Sequence, residues 1–309
     1  MNETHDLNRG LDSLERAMRA LRRAEAAAAD TGPWGGVART LAAGHRRQSE
    51  RLLGWIQPRL VPADVGAARA APVEQAEAAA ANSRVLALRR VSPELIVLRL
   101  SRPAGLDYVA GQHIKLRVGD VTRTYSLVSA PYQPHLELFI ELHAGGAMSA
   151  ALLALREGDP VQVLAAKGDF ALSPAKSNHV MVATVTGIAP FISLLRQSLH
   201  DGALRGVYHL LHGASYQDEF GYGEELARLA AQYPARLHYV PAISRPGEPR
   251  NAGWRGATGR IVDLVAPYLR QHGLSAASTA IYACGHPGMV GSVRKLLRPQ
   301  GYEIRVEPY

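Results

Sequence analysis

The sequence predicts an α+β multidomain chain in three successive parts: a helical hairpin, an antiparallel β-barrel and a parallel α/β fold. Three observations carry this. Apolar residues recur every three or four positions at the start. From Ser83 they alternate with polar ones or run apolar over strand lengths. From about Asn178 strand patterns alternate with helix patterns.

In residues 1–60, Leu7, Leu11, Leu14, Met18 and Leu21 make one apolar face at helical spacing. TGPWGG (31–36) breaks the pattern through its glycines and proline, and Val37, Leu41, Leu52, Leu53 and Trp55 begin a second one. Residues 61–82, rich in Ala, Pro and Glu, read as a linker. The stretches VLALRRV, ELIVLRL, HIKLRV, TRTYSLV, LELFIEL and PVQVLAA then read as short strands separated by Gly, Pro and Asp. Such spacing suits an antiparallel barrel or sandwich over 83–175. One helix, SAALLALREG (149–158), interrupts it, opening on Ser149 as N-cap. Over 176–309 the strands VMVATV, VYHLLHG, LHYVPAIS and TAIYACG each precede a helix, and such alternation predicts a parallel, Rossmann-like sheet.

The 309 residues suit two domains, and 47% hydrophobic content supports sizeable cores. The net charge of +8 suits nucleic acid, an anionic membrane, a phosphorylated ligand or an acidic protein partner, and composition does not choose among them. A single cysteine, Cys284, makes no internal disulfide, iron–sulfur cluster or zinc site of its own, so no metal site is expected. The polar start lacks a signal-peptide pattern, and the apolar run from His179 to Leu195 is too short and too interrupted to span a membrane. A soluble, cytoplasmic protein without an integral membrane segment is expected.

Five stretches carry chemistry. In R-T-Y-S (123–126), Arg123 can pair with a phosphate, while Tyr125 and Ser126 offer a ring and a small hydroxyl; four such residues also suit an ordinary strand. G-G-A-M-S (145–149) puts glycines at a helix start, where free N–H groups bind anions, or is a plain turn with a cap. T-V-T-G-I-A-P (184–190) follows a parallel strand and opens a helix, the position at which α/β folds meet nucleotides; without a G-x-G-x-x-G it also suits a plain strand–helix turn. Ser244, Arg245 and Arg260 near a strand end can hold a phosphate monoester or form a solvated basic loop. A-C-G-H-P-G-M (283–289) puts Cys284 at a strand's carboxyl end, as a ligand-facing thiol or a buried inert one.

In order and spacing, R-x-Y-S, G-G-x-x-S, T-G-x-A-P, H-G, S-R and C-G-x-x-x-M resemble the ferredoxin–NADP(+) reductase family over residues 83–309. The final Val306-Glu307-Pro308-Tyr309 resembles the V-E-x-Y ending of its plant-type members. The resemblance implies an FAD-binding barrel, an NADP-binding α/β domain, and a ferredoxin or flavodoxin as electron partner, with no nucleic acid. It implies that Arg123, Thr124, Tyr125 and Ser126 form the flavin strand, and that Gly145, Gly146, Met148 and Ser149 form the second pyrophosphate contact. It assigns Thr186 and Gly187 to the nucleotide pyrophosphate, and Ser244, Arg245 and Arg260 to the adenosine 2′-phosphate, favouring NADPH. Ser126, Cys284, Glu307 and Tyr309 match the active-site set. Gly285 lies beside it, and the Tyr309 ring is expected to stack on the flavin face. The family usually has Gly-Thr-Gly at the nucleotide loop, and Val185 replaces the first glycine here. Two other readings stand beside this one. The first is a reductase for an oxygenase, a free flavin or a quinone. The second is a docking flavoprotein with an impaired nucleotide site. The N-terminal helices are expected to mediate oligomerisation or docking.

Overall fold

The computed structural model describes residues 81–202 and 204–308. The expected helical hairpin (1–60), nearly all of the linker and Tyr309 lie outside the described residues. Two sheets of six strands organise the rest.

The first sheet comprises β1 (Ser83–Ser92), β2 (Leu95–Ser101), β3 (His113–Val118), β4 (Val121–Ser126), β5 (His135–Glu141) and β6 (Pro160–Val163). Its order is β4-β3-β6-β1-β2-β5, and every pairing is antiparallel. Just beyond β4, Leu127 bridges to Leu138 of β5, which curls the sheet nearly closed. Alternation explains the interior: Ile96, Leu98 and Leu100 of β2 and Ile114 and Leu116 of β3 are fully buried and meet in one cluster. The helix α1 spans Ala147–Ala154, starting two residues earlier than expected and ending four residues earlier. Ser149 is therefore not its N-cap. Gly146 occupies that position, and the Ser149 hydroxyl accepts the His143 N–H at 2.8 Å.

The second sheet is parallel throughout: β7 (Asn178–Thr184), β8 (Val207–Ala214), β9 (Leu237–Ile243), β10 (Ala257–Thr258), β11 (Thr279–Gly285) and β12 (Glu303–Pro308), in the order β10-β9-β8-β7-β11-β12. The helices α2 (Ala189–His200), α3 (Gly223–Gln232), α4 (Ile261–Gln271) and α5 (Pro287–Leu297) connect the strands. The chain steps outward from β7 to β10, then returns to the other side of β7 to lay down β11 and β12. The order thus reverses between β7 and β11, the switch point beyond which such sheets open a crevice. Strand β12 is an element the sequence reading lacked. EIRVEP alternates polar and apolar residues and lies against β11 as an edge strand, with Glu307 level with Cys284.

The two sheets share a core. Leu95, Val97 and Phe139 of the antiparallel sheet cluster with Phe191, Leu194 and Leu195 of α2. A buried ion network crosses the same seam. Glu137 of β5 accepts from Arg99 at 2.6 Å, from Arg196 at 3.1 Å and from the Tyr222 hydroxyl at 3.1 Å. Arg196 also pairs with Glu225 at 2.7 Å. Burial pushes the Glu137 carboxyl up, but the two guanidinium groups outweigh it and hold the group below the usual carboxylate range. Among the described residues no helix is long and apolar enough to cross a membrane.

Candidate functional site

A cleft of about 710 Å³ opens where the carboxyl ends of the parallel strands face the antiparallel sheet, a volume that suits a large organic ligand. From β4 come Arg123, Thr124, Tyr125 and Ser126. The Arg123 guanidinium is exposed and donates to its neighbour's carbonyl, Thr122 O, at 2.8 Å. Tyr125 is half-buried, and burial pushes its hydroxyl up to about 12 against the smaller pull of Arg123, so it stays a neutral donor. Ser126 is almost fully buried. Gly146, Met148 and Ser149 contribute the start of α1, whose first backbone N–H groups have no partner within the helix. An aromatic ring, a small hydroxyl, an exposed guanidinium and a helix start converge in one cleft. That donor set fits a flavin carrying phosphates.

The parallel sheet contributes the other wall: Thr184 at the end of β7 with Val185 and Thr186 after it, Ser244 after β9, Arg260 before α4, and Gly285 at the end of β11 with His286 to Met289 after it. These turns are packed to backbone contact. A Cβ on Gly187 would lie 2.2 Å from the Cys284 carbonyl oxygen, and one on Gly285, whose φ is +123°, would lie 2.3 Å from the Thr184 hydroxyl. That hydroxyl accepts the His286 N–H at 2.9 Å, and the His286 ring caps α5 by accepting from Gly288 N–H. The two turns at the switch point are therefore one built unit. Val185 is the one described non-glycine residue with positive φ, at +45°. For a β-branched residue this left-handed conformation costs on the order of 1–3 kcal/mol.

Not every expected residue lines this cleft. Gly145 turns the chain before it with φ +71°, and Gly187 is buried behind Thr186. Arg245 points elsewhere, donating to the Tyr216 hydroxyl at 2.9 Å with its guanidinium over that ring. Cys284 is fully buried among the core side chains between α2 and the sheets, so the reading of it as a lining thiol does not match its position. Glu307 also stands behind the cleft lining. Its Oε1 lies 2.7 Å from His113 Nδ1, and its Oε2 is buried with no hydrogen-bond partner among the described residues. Burial pushes the Glu307 carboxyl up, and the His113 contact offsets this in part.

His113 was missed by the sequence reading. Pairing of β3 with β4 sets it directly opposite Ser126, and β12 delivers Glu307 to it across 194 positions of sequence. No local pattern signals such a contact. His212, in the H-G pair of β8, is also absent from the expected set. It is fully buried, and its Nε2 lies 2.9 Å from the Val185 carbonyl oxygen.

Comparisons with known proteins agree with this arrangement. The model of the oxidoreductase FAD-binding domain matches residues 83–172, and that of the oxidoreductase NAD-binding domain matches residues 181–295. Ferredoxin–NADP reductase B of Sorangium cellulosum is 32% identical over 227 residues, covering 70% of this chain and 91% of its own. The toluate 1,2-dioxygenase electron transfer component of Pseudomonas putida is 28% identical over 237 residues, 74% of this chain and 66% of its own. Among solved structures, a ferredoxin NADP+ reductase from Neisseria gonorrhoeae with bound FAD and NADP superposes with a TM-score of 0.64 at 30% identity, covering 73% of this chain and 97% of that one. The sheet order, the cleft at the switch point and these similarities lead to one conclusion: the chain belongs to the ferredoxin–NADP(+) reductase family of flavin-dependent oxidoreductases.

Proposed function

We propose that the protein is a cytoplasmic reductase that moves electrons between NADPH and a small one-electron carrier, ferredoxin or flavodoxin. In this reading residues 83–175 form the FAD-binding part and 176–309 the NADP-binding part. The observation that supports it most is the pair of anion-binding ends in one cleft: Arg123 with the start of α1, and Ser244 with Arg260. A flavin and a nucleotide bound there would share one space.

Bound FAD supplies the redox chemistry, taking an electron pair and passing electrons on singly. The chain's residues bind and orient. Arg123 and the N–H groups opening α1 hold the FAD phosphates, Tyr125 flanks the ring system and Ser126 hydrogen-bonds it. Thr186 and the adjoining backbone meet the nucleotide pyrophosphate. Ser244 and Arg260 take the 2′-phosphate, with Arg245 swinging from Tyr216 to join them. Glu307 and His113 would hold a proton or a charge beside Ser126, and Tyr309, outside the described residues, is the residue that the family resemblance assigns to the flavin face. The net charge of +8 speeds docking of an acidic carrier.

The similarity to a dioxygenase electron transfer component keeps a second reading, a reductase serving an oxygenase, a free flavin or a quinone. Anaerobic bleaching of the flavin band by limiting NADPH and then NADH separates the two. Rapid bleaching by NADPH with NADH much slower is the expected result. Equal rates favour the second reading. A bound flavin bleached by neither nucleotide overturns both and leaves a docking flavoprotein with an impaired nucleotide site.

A further inference from the structure

The nucleotide turn carries a residue that its backbone disfavours. Val185 sits at φ +45°, where glycine is at ease and a β-branched side chain is not. Something must hold it there. Its carbonyl oxygen can only accept, and it lies 2.9 Å from Nε2 of His212, so that nitrogen carries the proton. The other ring nitrogen, Nδ1, then accepts from the Tyr239 hydroxyl at 3.2 Å. Phe220 packs edge-on against the imidazole, with ring centres 5.0 Å apart. Complete burial pushes the His212 pKa down to about 4, which keeps the ring neutral and this tautomer in place.

The direction of that bond matters. A trans peptide points its C=O and N–H opposite ways. With the Val185 carbonyl turned inward to β8, the Thr186 N–H faces away from His212, on the side where Thr186 lines the cleft.

We propose that His212, oriented by Tyr239, is a positioning residue for nucleotide binding: it clamps the Val185–Thr186 peptide so that the turn presents its N–H to the pyrophosphate without a glycine at position 185. This rests on the reading that the turn after β7 meets the nucleotide. The clamp explains how a valine is tolerated where the backbone calls for glycine, and it assigns a task to a buried histidine that touches no ligand.

The test uses the full-length, flavin-loaded protein. Dissociation constants for NADP+ and for 2′-AMP are measured by titration calorimetry, and KM and kcat for NADPH by diaphorase turnover. His212→Leu is expected to weaken NADP+ binding and raise KM at least tenfold. It should leave 2′-AMP affinity and kcat within about twofold, since 2′-AMP carries no pyrophosphate. His212→Gln, which keeps a donor near the Nε2 position, should recover most of the loss. Val185→Gly in the His212→Leu background should bring NADP+ affinity back to within about threefold of the parent, because glycine holds the turn unaided. Unchanged NADP+ affinity in His212→Leu, or a double variant as weak as His212→Leu alone, would overturn the clamp. If His212→Leu does not fold, Tyr239→Phe carries the test. It should raise the NADP+ dissociation constant threefold or more, with the rise removed by Val185→Gly, and no rise overturns the proposal. Parent protein that binds 2′-AMP and turns over NADPH while the variants stay unmoved defeats the clamp alone. Parent protein that binds neither defeats the reductase reading and the clamp together.

Discussion

At the scale of single residues, the pairing of His113 with Glu307 makes the sharpest case. The carboxyl is pushed up by burial and drawn back by the histidine 2.7 Å away. Removing that neighbour takes away the stabilisation of the ionised form. His113→Leu is therefore expected to raise the Glu307 pKa, and any limb of the pH–rate profile that needs the carboxylate should move to higher pH. Flavin reduction by NADPH followed across the acid range checks this, and a superimposable profile means that the contact does not set the titration. His113 itself was invisible in the sequence. HIKLRV reads as a strand, and nothing in it announces a partner near the far end of the chain. Arg123, Tyr125, Ser126 and Thr186 were legible, because each belongs to a short motif whose spacing sets its position on a strand end or turn, and all four line the cleft. Arg245 was legible as an arginine near a strand end, but not its attachment to Tyr216. A side chain's direction depends on neighbours from other elements.

At the scale of elements, the turns after β7 and β11 behave as one piece, and Gly187 is where they touch. A methyl group there would meet the Cys284 carbonyl at 2.2 Å and the Gly285 Cα at 2.8 Å. Both are backbone atoms at the carboxyl end of β11, so neither can rotate aside. Gly187→Ala is expected to cost about 1–3 kcal/mol through overpacking, a fall in Tm of roughly 3–10 °C, together with weaker NADP+ binding. Thermal unfolding of the two proteins side by side decides it, and an unmoved Tm would show that the turns can slide apart. Most strands and helices were readable from periodicity, because burial of one face imposes it. The exceptions have physical reasons. Strand β12 does alternate, but it lies at the edge of its sheet and is only partly buried along its length, so its pattern is short and carries few apolar residues. Helix α1 starts before Ser149, at Gly146 and Ala147, because the serine hydroxyl takes the His143 N–H instead of capping the helix from outside.

At the scale of the whole molecule, stability depends on pH through histidines buried neutral in the parallel sheet. His209 and His212 of β8 are both pushed down to about 4, chiefly by burial. His209 is also pressed by other histidines: it stacks on His238 at 4.8 Å and lies 5.9 Å from His272. The unfolded chain takes up these protons near pH 6.5, while the folded chain resists until about 4. The folded state is therefore fully favoured above about pH 6.5 and loses stability as pH falls towards 4, by on the order of 3 kcal/mol for each histidine. Glu137, with its lowered carboxyl, contributes in the same direction only at still lower pH. Urea midpoints should fall steeply between pH 6.5 and 4.5, and a flat profile over that window would mean that the buried rings are not held neutral.

The sequence by itself determined the order of the parts, the class of each sheet and the motifs at the strand ends. These follow from local chain chemistry: periodic burial, turn residues, and glycines where the backbone must pass closely. The tertiary structure alone decided which motifs meet. It set the switch point between β7 and β11, turned Cys284 into the core, brought Glu307 to His113, and put His212 under the strained carbonyl of Val185. Those outcomes depend on which strands pair and in what register. Pairing minimises the free energy of the whole core, and no short stretch of sequence encodes it.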